Sequence, residues 1–470
     1  MKETYYSLHN HTASSNARLI DSINKVEDLI QYAYELGLKG IAITDHETVN
    51  AHIKAIKYVE KMRAKDENWK NFKLILGNEI YLCRNGLNSE NYDSKKDKFY
   101  HFILLAVDEI GHQQIRELSS RAYEHSFMKS RMRRVPTYYS DVEEIIGSNP
   151  GHVIASSACL GGFLGTKLLA ASSREKYQDY FLGEIDMLKN WIEYIQSIFG
   201  KDNFFLELQP SDTDEQIYVN KWLLEIASDL GMDAIITTDS HYQTKEDREF
   251  HKAYLNSKEG DREVDAFYAT TYLMSAEEIH EYMDKYNTSL VVSNLLEVTR
   301  IIGDRIQEYD IRKPFKLPYL PNEKDILLAN SKVFAIPYDY LHNPSIWNNF
   351  INSKEASDRV FIHKLINRCN SDRNYYWTEE RIKRMEVELE TVWNASVKQN
   401  ITWTKYFLQV SDYIDIAWTE GDTIVGAGRG SGVGFYLNYL LDIIQIDPMV
   451  ERVPLFPWRF LNPERASILD

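Results

Sequence analysis

The chain has 470 residues, of which 44% are hydrophobic and 26% charged, so it is long enough for two or three domains with sizeable cores. Its formal net charge of −16 argues against a chain that is basic throughout, as many nucleic-acid binders are, but allows a local basic groove. The N-terminus has no apolar signal-peptide core, no run of 18 apolar residues occurs, and the three cysteines form no CxxC pair. We therefore expect a cytoplasmic protein without disulfides or a membrane span.

Short apolar runs typical of β-strands alternate with segments of helical periodicity over residues 1–303. The runs are residues 4–11, 39–46, 73–82, 100–107, 152–159, 203–209 and 233–241. Helical periodicity is clearest at 26–37 and 219–231. Strands alternating with helices in this way predict an α/β barrel or a doubly wound sheet.

The pattern changes at residues 304–345, where five prolines and poor periodicity predict an extended connection. Residues 355–420 are predicted to be mostly helical. A strand-like TIV (423–425), a glycine-rich turn (426–434) and an apolar helix (435–444) follow. The chain is thus expected to consist of a domain at 1–303, the connection at 304–345 and a second domain at 346–470.

Residue types that bind metals recur at the ends of successive apolar runs. They are His9, His11, Asp45, His46, Glu79, His101, Cys159, Asp239 and His241. The carboxyl ends of parallel strands in α/β barrels carry the active site, and a spacing of two residues puts His9 and His11 on one face of a strand. Each residue taken singly has a plain explanation, such as a surface histidine or a buried cysteine. Together they predict a multinuclear metal site.

The ligand types indicate the metal and the chemistry. Imidazole, carboxylate and one thiolate favour Zn²⁺, Mn²⁺ or Fe²⁺ over Mg²⁺, and eight or nine ligands suit two or three ions. Neighbouring divalent ions that clamp a phosphate are typical of phosphoester hydrolysis.

The segments LHNHT, AITDH, GNEIY, YHFILLA, SACLGG and TTDSHY resemble, in this order, the motifs of the polymerase and histidinol phosphatase (PHP) family. The resemblance is strongest to the PHP domain of C-family bacterial replicative polymerases. It implies a distorted (β/α)7 barrel and 3′–5′ exonuclease activity, with catalysis involving His11, Asp239 and His241. The nine implied metal ligands are His9, His11, Asp21, His46, Glu79, His101, Cys159, Asp239 and His241.

Residues 412–448 and the segment FLNPER (460–465) resemble the start of the palm domain of the same polymerases. The glycines of GAGRGS allow a triphosphate to approach the backbone, while the arginine and serine donate hydrogen bonds to phosphate. The predicted nucleotide-binding residues are Gly426, Gly428, Arg429, Gly430 and Ser431. A complete palm of this family also binds Mg²⁺ through an Asp-x-Asp pair, and the sequence reaches Asp470 without one. We expect a second segment, in the same gene or another chain, to complete the palm.

The basic cluster KSRMRR (129–134) has two interpretations: it leads a DNA end towards the metals, or it is a solvated charged helix face.

The resemblance therefore implies the N-terminal portion of a bacterial or phage DNA polymerase III alpha subunit. Its expected partners are a DNA primer-template, dNTP, the C-terminal remainder of the polymerase, a sliding clamp and other replisome proteins. One alternative is a stand-alone PHP phosphatase that acts on a small molecule such as histidinol phosphate, although such an enzyme has no use for GAGRGS. The other is an assembly module of a split polymerase in which the metals are structural.

Overall fold

The computed structural model describes residues 3–17, 20–129, 132–172, 178–257, 267–313, 316–317, 319, 322–331, 336–450 and 455–464. The chain divides into two compact units, residues 1–311 and 312–470, and each unit has its own hydrophobic core.

The first unit contains all the strands that the structure describes. They are β1 Tyr6–Ser7, β2 Gly40–Ile43, β3 Lys73–Cys83, β4 Tyr100–Ala106, β5 Phe127–Lys129, β6 Met132–Arg134, β7 Thr137–Tyr138, β8 Val153–Ser156, β9 Phe204–Leu208 and β10 Ala234–Ile236. Strands β1–β4 and β8–β10 coincide with the seven apolar runs of the sequence. The short strands β5, β6 and β7 were not predicted, because two or three residues are too few to show an alternating pattern.

The main sheet has the strand order β1-β2-β3-β4-β8-β9-β10, and β7 pairs separately with β3. All neighbours on this path are parallel except β4, which is antiparallel to both β3 and β8. The two edges of the sheet approach each other beyond the ends of β1 and β10, where Asn10 bridges Ser240 and the His11 amide donates to the Ser240 carbonyl at 2.9 Å. The sheet is therefore curled, and the predicted α/β class is confirmed, with one strand reversed.

Helices pack around this sheet. They are α1 Val26–Glu35, α2 His52–Arg63, α3 Glu109–Glu124, α4 Tyr139–Val142, α5 Phe163–Ser172, α6 Gln178–Phe199, α7 Asp214–Leu230, α8 Arg248–Leu255, α9 Ala276–Met283 and α10 Ser289–Arg305. Helix α7 begins five residues before its apolar pattern because Thr213 caps it, accepting from the Gln216 amide. It ends where Gly231 adopts the left-handed conformation at φ +59°.

The second unit is helical. Its helices are α11 Glu323–Asn330, α12 Pro344–Ile351, α13 Ala356–Ser371, α14 Arg373–Tyr376, α15 Glu379–Gln399, α16 Thr404–Thr419 and α17 Tyr436–Leu440. Trp347, Phe350, Phe361 and Phe407 are fully buried in its core. Within the described parts of the whole chain, no helix is long and apolar enough to cross a bilayer.

Three local predictions for the second half were wrong. Residues 304–345 are not extended throughout, since α11 lies within them and Asn322 caps it by accepting from the Asp325 amide. Residues 423–425 form no strand. The helix predicted at 435–444 ends at Leu440, and the residues that follow turn back so that the Gln445 amide donates to the Ala427 carbonyl at 2.7 Å.

Candidate metal centre and glycine-rich loop

The predicted metal ligands come together at one edge of the curled sheet. His9, His11, His46, Cys159, Asp239 and His241 follow the ends of parallel strands, whereas Glu79 lies inside β3. His101 lies near the start of β4 and still reaches the same edge, because β4 runs in the opposite direction. Backbone bridges from His46 to Glu79 and from His101 to Gly162 hold the strand ends in register.

Three overlapping groups of side chains have ligand atoms within 4.8 Å of one another. The groups are His11–Asp21–His46–His241, His9–His11–Glu79 and His46–Glu79–His101. His11, His46 and Glu79 each belong to two groups, so the three groups form one continuous cluster. Such a cluster can hold more than one divalent ion.

Glu79 lies at the middle of this cluster and is fully buried. Its Oε2 lies 3.0 Å from His11 Nε2 and 2.9 Å from His46 Nδ1, and its Oε1 lies 2.6 Å from His101 Nδ1. Burial alone would raise the pKa of Glu79, but His46, His101 and His9 outweigh that effect and hold the pKa well below its usual value. The carboxylate is therefore ionised and available as a ligand.

Asp21 comes from the loop after His11 and also reaches the cluster. Its Oδ2 is 3.0 Å from His46 Nε2 and 2.9 Å from His241 Nε2. The amide of Asp21 donates to the side chain of Asn16 at 2.7 Å, and the Tyr268 hydroxyl donates to Asp21 Oδ1 at 3.1 Å. These two contacts orient the carboxylate towards the histidines.

Asp239 and Cys159 adjoin the three groups. Asp239 Oδ1 lies 3.1 Å from both His9 Nε2 and His11 Nε2, and Cys159 Sγ lies 3.6 Å from His101 Nδ1. Burial would raise the pKa of Asp239, but His9 and His241 lower it below its ordinary value. The structure thus brings together all nine side chains that the sequence singled out as ligands.

Several buried ligand atoms in the cluster form no well-aligned hydrogen bond among the described residues, although each lies 2.6–3.1 Å from a facing nitrogen or oxygen. These atoms are Asp21 Oδ2, His46 Nδ1, Glu79 Oε1 and Asp239 Oδ1. A buried polar atom without a partner is costly, and lone pairs of imidazole and carboxylate that converge in this way are satisfied by divalent cations. The residues therefore fit a metal centre.

The cluster opens into a cavity of about 300 Å³. Its lining contains Ser15, Asp21, His46, Tyr81, Phe99, His101, Arg134, Cys159, Asp239, His241, Phe267 and Tyr268. Four aromatic rings and one arginine thus surround the metal-binding side chains, so the cavity combines metal ligands with apolar surface.

The basic cluster at 129–134 is not a helix. Strands β5 and β6 form a separate antiparallel hairpin there, with Phe127 paired to Arg134 and Lys129 paired to Met132. Ser130 and Arg131 lie outside the described residues. The interpretation as a charged helix face is therefore wrong, and the hairpin places one of its arginines, Arg134, in the cavity wall.

The glycine-rich loop of the second unit borders a second cavity, of about 630 Å³. The predicted nucleotide-binding residues Gly426, Gly428, Arg429, Gly430 and Ser431 all line this cavity. Gly430 has φ +58°, a conformation that favours glycine, and it begins a 3₁₀ turn that ends at Gly434. The loop therefore exposes backbone and one arginine to an open space that is large enough for a small ligand.

Two segments of the chain match known protein families. Residues 7–211 match the PHP domain family, and residues 359–470 match the bacterial DNA polymerase III alpha NTPase domain family. The chain contains a PHP domain and a polymerase III alpha NTPase-domain segment. The resemblance inferred from the motifs is thereby confirmed. Asp239 and His241 lie beyond the matched range of the PHP domain but follow β10 of the same sheet.

Relatives match the chain along nearly its whole length. A DNA-directed DNA polymerase of Bacillus phage SPbeta is 40% identical over 486 residues, which cover 98% of this chain and 36% of the relative. The DNA polymerase III subunit alpha of Treponema pallidum is 28% identical, with 99% of this chain and 34% of the relative covered. The chain therefore spans about a third of the length of these relatives.

Likeness to solved structures is weak. An amidohydrolase from Chromobacterium violaceum is 12% identical and has a TM-score of 0.28, with 51% of this chain and 88% of that chain covered. This score is too low to support a structural or functional comparison.

Glu207, in β9 of the PHP domain, supports the metal centre and was not predicted. Its fully buried carboxylate lies 2.7 Å from His9 Nδ1 and accepts hydrogen bonds from the hydroxyls of Ser156 and Thr237. A carboxylate on Nδ1 leaves Nε2 of the histidine facing the centre and makes it more basic. The detectable sign in the sequence was an acid inside the apolar run FFLEL (204–208).

Asp45 lies at a strand end like the ligands but belongs to none of the three groups. Its carboxylate accepts from the Thr12 amide at 2.6 Å and from the Ser15 hydroxyl at 2.7 Å. It therefore fixes the backbone just after His11 and does not join the cluster.

In the NTPase-domain segment, Arg384 and Glu388 of α15 bind the backbone where the glycine-rich loop leads into α17. Glu388 accepts from the amides of Tyr436 and Leu437, each at 2.9 Å. Arg384 bonds Glu388 at 2.5 Å and donates to the carbonyl of Gly434 at 2.6 Å. Burial raises the pKa of Glu388 to about 7, although Arg384 and the two amides oppose this.

Proposed function

We propose that this chain is the N-terminal portion of a cytoplasmic DNA-directed DNA polymerase whose PHP domain is a metal-dependent 3′–5′ exonuclease. The observation that carries the proposal is the convergence of nine metal-binding side chains at one edge of the sheet, six of them lining one cavity, in a chain whose relatives are DNA polymerases. The second unit would bind the triphosphate of dNTP, and the complete enzyme would act on a DNA primer-template.

Two or three divalent ions are the proposed occupants of the PHP centre, with all nine side chains as ligands. Imidazole, carboxylate and thiolate together favour Zn²⁺, Mn²⁺ or Fe²⁺. When bound, such ions polarise a phosphate and lower the pKa of water, which is the chemistry that phosphodiester hydrolysis requires.

The chain's own residues position and protect this chemistry. Glu207 fixes the ring of His9, and Asp239 holds the facing nitrogens of His9 and His11 within 3.1 Å of one oxygen. His11, Asp239 and His241 are almost completely buried, so bulk water cannot compete for their ligand atoms. A cavity of about 300 Å³ suits a single terminal nucleotide better than a duplex.

The glycine-rich loop suits the triphosphate of a nucleotide. Gly426, Gly428 and Gly430 allow phosphate oxygens close to the backbone amides, while Arg429 and Ser431 offer side-chain donors beside the same cavity. Nucleotidyl transfer also needs carboxylates that hold Mg²⁺, which the rest of the polymerase would contribute. Residues 465–470, which include the end of the FLNPER segment, lie outside the described residues. A sliding clamp and other replisome proteins are further proposed partners.

The exonuclease is tested with metal-loaded protein and a labelled single-stranded oligonucleotide. Asp239→Asn and His241→Ala should reduce release of 3′ nucleotides at least a hundredfold, because each removes a buried ligand. Asp284→Asn is the matched control, since it makes the same change at an exposed position of the same unit. If the metal-loaded wild type cleaves no phosphoester, the centre is structural. If it hydrolyses a small phosphomonoester but not DNA, the phosphatase alternative is correct.

Nucleotide binding is tested by titrating the full chain with a fluorescent dNTP at low salt. Arg429→Ala should abolish a weak and salt-sensitive interaction while leaving the PHP activity unchanged. Equal affinity of wild type and variant would contradict the assignment of the loop.

A further inference from the structure

Arg134 is the one permanently charged cation among the described residues that line the metal cavity. It ends β6 of the hairpin, and its guanidinium lies 5.4 Å from the ring centre of Phe99 and 5.7 Å from that of Tyr92. These two rings hold the side chain against the cavity wall through cation–π contacts. The position of the guanidinium is therefore set by packing before any ligand binds.

The guanidinium also has unused hydrogen-bonding capacity. Its Nε is buried and has no partner among the described residues, although a buried donor without a partner costs free energy. Asp21 and Asp239 line the same cavity, yet each is surrounded by histidines at about 3 Å. A planar cation that is held in place and left unsatisfied is suited to a phosphate that enters the cavity.

The rest of the cavity wall suits the other parts of a nucleotide. Tyr81, Phe99, Phe267 and Tyr268 present aromatic surface beside the metal-binding side chains. Bases of single-stranded nucleic acid stack on such rings without sequence preference. The wall therefore offers one cationic group together with apolar contacts, which is the pattern that a terminal nucleotide requires.

We infer that Arg134 is a substrate-positioning residue that binds a backbone phosphate of the DNA strand whose 3′ end enters the metal cavity. This inference rests on the proposed exonuclease function and names the contact by which the PHP centre recognises a polynucleotide. The hairpin of β5 and β6 thus contributes the phosphate-binding group to the same cavity that several metal ligands line.

The inference is tested by binding, so that it does not depend on turnover. The probe is a fluorescent single-stranded oligothymidylate with a phosphorothioate 3′ end, titrated against the full metal-loaded chain at several salt concentrations. Each phosphate contact on a single strand contributes about −0.7 to the slope of log affinity against log salt concentration. Arg134→Met should weaken binding about tenfold or more and reduce the magnitude of the slope by about 0.7.

Two further variants make the outcome decisive. Arg133→Met removes the same charge from the neighbouring, exposed position, whose side chain points to the other face of the hairpin. It should leave both affinity and slope unchanged. Arg134→Lys keeps the charge, so it should restore the slope but recover only part of the affinity.

Unchanged affinity and slope in Arg134→Met would overturn the inference. Equal losses in Arg133→Met and Arg134→Met would do the same, because they would show general attraction rather than one contact. If Arg134→Met loses metal and Arg134→Lys fails to restore the slope, the residue is structural. The exonuclease proposal can fail independently, since a protein that binds DNA through Arg134 but cleaves no phosphoester would contradict only that proposal.

Discussion

Glu388 should make the stability of the second unit depend on pH. The carboxyl is fully buried, and its pKa is raised from 4.5 to about 7. The folded state therefore holds a proton that the unfolded state has already released, and stability falls as pH rises from about 4.5 through 7. Each pKa unit corresponds to about 1.4 kcal/mol, so the free energy of unfolding should fall by about 2–3 kcal/mol between pH 5 and pH 8 from this group alone.

The test is to substitute Glu388→Gln, which imitates the protonated carboxyl in size and charge. Glu390→Gln is the control, because it removes the same charge from an exposed position of the same helix. Hydrogen exchange of the amides of α15 and α17, corrected for the intrinsic effect of pH, reports their opening free energy. Wild type and Glu390→Gln should lose about 2–3 kcal/mol more than Glu388→Gln over this pH interval. Equal pH dependence in all three proteins would refute the reasoning.

Three other perturbations have defined outcomes. Glu207→Gln should weaken metal affinity about 10- to 100-fold, as measured by competition with a chelator, because His9 loses its carboxylate partner; unchanged affinity would contradict this role. His9→Ala combined with His11→Ala should remove at least one ion per chain in elemental analysis, whereas less than one ion in the wild type would argue against a multinuclear centre. Trp347→Ala should destabilise the second unit by about 3–5 kcal/mol in denaturant unfolding, since the ring is fully buried in its core; a loss below about 1 kcal/mol would show that the core collapses around the gap.

The strands of the PHP domain and the convergence of its metal-binding side chains could be predicted, because both follow from the pattern of apolar and polar residues along the sequence. Each of the seven main strands overlaps a predicted apolar run, and for all but β3 the run is longer than the strand. The ligand side chains come at or near the ends of these runs, so the parallel order of a barrel brings most of them together. Asp21 was harder to assign from pattern alone, since it depends on a loop conformation that Asn16 and Tyr268 stabilise.

Residues that act through long-range contacts could not be predicted. Glu207 contacts His9 across 198 positions of sequence, and nothing in the run FFLEL identifies that partner. Arg384 and Glu388 look like an ordinary helical pair at a spacing of four, and only the fold shows that Glu388 binds the amides of α17. The strand predicted at 423–425 is absent, and Ile424 is 90% exposed, because three residues are too few to define a strand pattern.

The reversed direction of β4 determines which connecting segments lie on the side of the metal ligands. In a barrel of parallel strands, the segment that follows each helix returns to the face opposite the active site. Because β4 runs the other way, both the connection before it, at 84–99, and the segment after α3, at 125–138, emerge on the side of the metal ligands. Those two segments supply Tyr92, Phe99 and Arg134. One inverted strand thus gives the domain two extra loops beside the metal ligands. The length and charge of these loops can change, and alter which substrate the cavity prefers, without any change in the ligands themselves.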